Sequence, residues 1–96
     1  MSDEQLKMIL RVFGSHIAEN EDEIVGVTKA LIDVTVKFRD KLKNEIGYKL
    51  TVEDTQIALD GFEAALKGDP LPDDLTSEQR ALAQIYLDRM TLFRNS

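Results

Sequence analysis

The chain has no cysteine, which removes disulfides, thiol nucleophiles and cysteine-held zinc together. It has one histidine, His16, joined at helical spacing only by Glu19 and Asn20, which is weak evidence for a metal site. No apolar run approaches the roughly 18 residues of a membrane span. The opening Ser2-Asp3-Glu4-Gln5 is acidic where a secretory leader would be basic. Glycine-rich phosphate loops and nucleophile elbows are missing, as are internal repeats and low-complexity stretches. These absences argue against an enzyme, a cofactor and a membrane protein, and they suit a cytoplasmic setting.

At 96 residues with 43% hydrophobic content, the sequence supports one domain over residues 1–96 around one core. The net charge of −6 disfavours direct binding to a phosphate backbone. Charge is segregated along the chain: −4 over residues 1–23, +3 over 24–50 and −5 over 51–96. The middle segment is thus the part suited to attract acidic surface.

Helix grammar recurs four times. Ser2 with Gln5 forms a capping box, and Leu6, Ile9, Phe13 and Ile17 follow at spacings of three and four, with Leu10 and Val12 widening the stripe. Gly14 interrupts it, which predicts a kink or a close approach by another helix. Asn20 opens a second helix with an acidic first turn, and Ile24, Val27, Leu31, Val34, Phe38, Leu42 and Ile46 carry the stripe to Gly47. Thr51 with Asp54 caps a third, whose face of Ala58, Leu59, Phe62, Ala65 and Leu66 is thinned by Gly61 and closes at Lys67-Gly68. Pro70 and Pro72 make a stiff connection, and Thr76 with Gln79 caps a fourth helix carrying Leu82, Ile85, Tyr86, Leu87, Met90 and Phe93.

The pattern predicts an all-α fold with helices over 3–18, 21–46, 52–67 and 77–94, a small four-helix bundle of up-down topology or a close variant. A competing signal lies inside the second helix. Ile32, Val34, Val36 and Phe38 alternate with polar residues, as do Tyr48, Leu50 and Val52, so an α+β alternative places a hairpin near residues 32–52. Against it, residues 39–46 contain no turn residue and read as helix.

Catalytic and metal patterns are weak throughout. The acidic loop of Asp69, Asp73 and Asp74 with Glu78 lacks the glycine and spacing of a calcium loop. Asp60 with Glu63, and Glu19 with Glu23, are carboxylate pairs with no sign of a desolvating pocket. Lys37, Arg39, Lys41, Lys43 and Lys49 form the one basic cluster, but they circle the helix and make no stripe for a phosphate backbone.

Missing chemistry and segregated charge therefore point to a non-enzymatic protein–protein interaction module, an adaptor or an inhibitor of a basic partner, comparable with immunity-type proteins in size and charge alone. The alternative is an acidic nucleic-acid mimic that occupies a DNA- or RNA-binding protein. The candidate partner-binding residues are Phe38, Lys41, Leu42, Lys43 and Ile46, where the long second helix is expected to outrun its neighbours. A homodimer through that seam is one way to cover it, and a fold-back of Tyr48 and Leu50 is the other.

Overall fold

The computed structural model describes residues 2–95 as an all-α chain of four helices: α1 (Asp3–Ile17), α2 (Glu21–Ile46), α3 (Val52–Leu66) and α4 (Ser77–Asn95). Among the described residues there is no strand, so the hairpin alternative near 32–52 does not occur. The contacts divide the chain into two units, Met1–Leu50 and Thr51–Ser96.

In the first unit, the caps read from the sequence are formed. Ser2 Oγ accepts from Gln5 N and Gln5 Oε1 accepts from Ser2 N, while Asn20 Oδ1 accepts from Glu23 N at 2.8 Å. α2 stops at Gly47, whose φ of 68° is open to glycine at little cost, and Tyr48 N then donates to Leu42 O. The contacts fix the direction of the pair. Asp3 at the start of α1 meets Arg39 late in α2, and Gly14 late in α1 lies against Thr28 and Ile24 early in α2. The two helices are therefore antiparallel. Leu6, Leu10 and Phe13 are buried on α1, and Val27, Leu31 and Val34 on α2.

The strand-like alternation in α2 has a helical explanation. Residues two apart on a helix lie about 200° apart, so apolar residues at every second position make two stripes. Val34 and Phe38 follow one stripe, and Ile32 and Val36 follow the other, each pair four residues apart. Val34 is buried, while Ile32 and Val36 are half-buried.

The second unit is the variant in the topology. Asp54 in the first turn of α3 accepts a hydrogen bond from Gln79 in the first turn of α4 at 2.9 Å. Further along both helices, the Phe62 and Tyr86 rings stand 5.7 Å apart. The pairings advance together, so α3 and α4 run in the same direction. The up-down pattern holds for α1 and α2 but not for this step. The connection instead travels back along α3: a Cβ on Gly61 would stand 3.5 Å from both Pro72 and Leu75 side-chain atoms and 3.7 Å from Leu71. Gly61 thus faces the returning connection. Arg80 fastens that connection by donating to Pro72 O at 2.7 Å.

Candidate functional site

Two surface clefts among the described residues lie within the Met1–Leu50 unit. The first lies at the end of α2, where Arg39 donates to Asp3 Oδ1 at 2.7 Å and α2 continues roughly 10 Å further to Ile46. The Tyr48–Leu50 segment closes a cleft of about 430 Å³ with Asp3, Arg39, Asp40 and Lys43. The hydrogen bond and charge of Arg39 hold the Asp3 carboxyl below its ordinary range, and Asp3 in turn raises Arg39.

All five sequence-derived partner residues fall on this end of α2, but not as a bare seam. Phe38 and Leu42 are half-buried, whereas Lys41, Lys43 and Ile46 are exposed, Ile46 at 63%. Leu50 is buried and Tyr48 half-buried. The basic cluster is likewise divided, because Arg39 is engaged with Asp3 and Lys37 pairs with Asp33 at 3.1 Å.

A second cleft, also about 430 Å³, is lined by Arg11 of α1 and by Ile24, Val25, Thr28, Lys29 and Ile32 of α2. Sequence reasoning missed it. Val25 is 66% exposed, and on α1 Met8 and Val12, one turn apart, are 68% and 66% exposed. Of these three only Val25 lines the cleft. Beside the cleft, α1 and α2 come close at Gly14. Any Cβ there would run into Thr28 Oγ1, so the glycine lets α2 approach α1 closely. The Thr28 hydroxyl is buried against it without a hydrogen-bond partner. Thr35 and Thr55, by contrast, donate to the carbonyls four residues before them. The signal that could have revealed the cleft is the second stripe on α2, Val25, Ile32 and Val36, of which Ile32 and Val36 entered the sequence reading only through the competing strand alternation.

The other candidates remain scattered. His16 is exposed in the last turn of α1. Among the described residues no group of three or more His, Asp or Glu side chains is placed to hold a metal ion. No described helix is long and apolar enough to cross a membrane. The fold defines the chain as an all-α protein. No family model, curated protein or solved structure matches it.

Proposed function

We propose that the chain is a non-enzymatic protein-binding module, an adaptor or an inhibitor, acting in the cytoplasm. The observation that carries this reading is the mostly apolar cleft on the α1–α2 hairpin, where Ile24, Val25 and Ile32 face outward and Val25 is 66% exposed. Apolar surface concentrated in this way is costly in water and gains free energy when a partner covers it. The cysteine-free sequence, which can form no disulfide, is compatible with the cytoplasmic setting.

Affinity capture from the native host tests the reading, comparing wild type with Val12→Asp/Val25→Asp. A partner retained by wild type and lost by the variant is the expected result. Identical captures, or none, would contradict it.

Two rival readings have less support. A nucleic-acid mimic needs carboxylates free to stand in for phosphates. Here Asp3, Asp33 and Glu63 are held by Arg39, Lys37 and Lys67, while Asp54 and Glu23 bond to backbone amides at helix starts. Self-association through the end of α2 rests on Ile46 alone, since Phe38 and Leu42 are half-buried. Light scattering checks the latter: a doubled mass that Ile46→Asp halves would revive it.

A further inference from the structure

We propose that the cleft between α1 and α2 docks an amphipathic helix of a partner protein, one whose apolar stripe is bordered by carboxylates. This rests on the protein-binding reading above and adds the chemistry of the partner.

The charge of the cleft selects the partner. Its lining holds two cations, Arg11 and Lys29, and no carboxylate. The neighbours of Arg11 one turn away are Lys7, Met8, Gly14 and Ser15, none of them acidic. Lys29 has Asp33 one turn on, but Asp33 is paired with Lys37 at 3.1 Å. Elsewhere Lys37, Arg39 and Lys67 all have carboxylate partners. Arg11 and Lys29 thus have no carboxylate partner within the cleft and stand beside its apolar surface, whereas Glu21 and Asp22 lie one turn before Val25, beyond its lining. Such an arrangement fits a partner that brings acids to the rim and an apolar stripe to the floor.

The shape selects a helix. From Val25 to Ile32 the floor runs about two turns of α2, on the order of 10 Å. Its residues present apolar groups at i and i+7 with Thr28 between them, the repeat that a helix of matching i, i+3 or i+4, i+7 anchors fills. A second copy laid cleft against cleft is disfavoured, because a two-fold pairing sets Arg11 and Lys29 against the same cations. An extended strand finds no unpaired sheet edge here, since no strand occurs among the described residues.

The test is an NMR titration of the ¹⁵N-labelled full chain with two synthetic helical peptides. They share one leucine stripe, which glutamates flank in one peptide and lysines in the other. Both are titrated into wild type and into Arg11→Glu/Lys29→Glu, two exposed positions, with circular dichroism to check that the variant keeps its helix content. The expected result is amide shifts confined to residues 8–15 and 24–32, with the glutamate peptide bound about tenfold more tightly than the lysine peptide by wild type. In the double variant that preference reverses. Equal binding of both peptides, or shifts centred elsewhere, would overturn the proposal. So would a doubled mass by light scattering that Val25→Asp abolishes, which would make a second copy the occupant. If the glutamate peptide fails while the Val12→Asp/Val25→Asp capture still loses its partner, the protein-binding reading stands and the acidic-helix inference alone falls.

Discussion

Two glycines with the same propensity penalty are predicted to respond in opposite directions. Gly61→Ala places a methyl group at ordinary contact distance, 3.5 to 3.7 Å, from the connection it faces. Removing the backbone freedom of glycine from a helix interior should then stabilise the protein by about 0.5–1 kcal/mol. Gly14→Ala offers the same intrinsic gain but overlaps Thr28 Oγ1. Overpacking of this kind costs about 1–3 kcal/mol, so the net effect is a loss of roughly 1 kcal/mol. Thr28→Ala removes both the obstacle and an unpartnered buried hydroxyl. Chemical denaturation of the four-member cycle Gly14→Ala, Thr28→Ala checks this. The double variant should recover the loss, and additive effects would contradict the close approach. The sequence marked Gly14 for a kink or a close contact, and the contact is what occurs. It assigned Gly61 to thinning a helix face, whereas the neighbour is a loop, which periodicity cannot show because it carries no information on where a connection returns.

At the scale of the elements, the first turns of α3 and α4 are one polar network. Asp54 accepts from Thr51 N at 3.1 Å and from Gln79 Nε2 at 2.9 Å, and Gln79 Oε1 accepts from Thr76 N at 3.1 Å. Both side chains are buried. Asp54→Ala should therefore cost more than a lost cap, about 2–4 kcal/mol, because it also strands the Gln79 amide. Surface caps such as Ser2 have no such dependent, and Ser2→Ala should cost about 1 kcal/mol or less in the same urea series. The two capping boxes were legible as local grammar, yet their meeting was not. Boxes 25 residues apart in sequence pair only because α3 and α4 run the same way. Short-loop reasoning favours antiparallel neighbours, and the proline-stiffened stretch around Pro70 and Pro72 is long enough to defeat it. The Asp3–Arg39 link between α1 and α2 adds a pH dependence. Arg39 lowers the Asp3 pKa on folding, so its contribution is complete above the ordinary carboxyl range and fades as pH falls through the lowered folded value. The difference in Tm between wild type and Asp3→Asn should accordingly shrink below about pH 4. Asp3 is fully exposed, so the effect should be small and diminish with salt.

For the whole molecule, the helix boundaries were legible to within a residue because each start carries a side-chain cap and α2 ends on Gly47. The working surface was not. An outward apolar stripe is read as either core or strand alternation until the other face of the same helix is known to be buried. On α2 both faces carry apolar residues, Val27, Leu31 and Val34 inward and Val25 and Ile32 at the cleft. That second face is the centre of the account, and site-specific photo-crosslinking in the native host tests it most directly. A photoreactive phenylalanine analogue is placed at Val12, at Val25 and, as a control of equal exposure on α4, at Leu92. The account predicts one heavier adduct of the same partner from positions 12 and 25 and none from position 92. Adducts from position 92 alone, or no adduct from position 12 or 25, would contradict it.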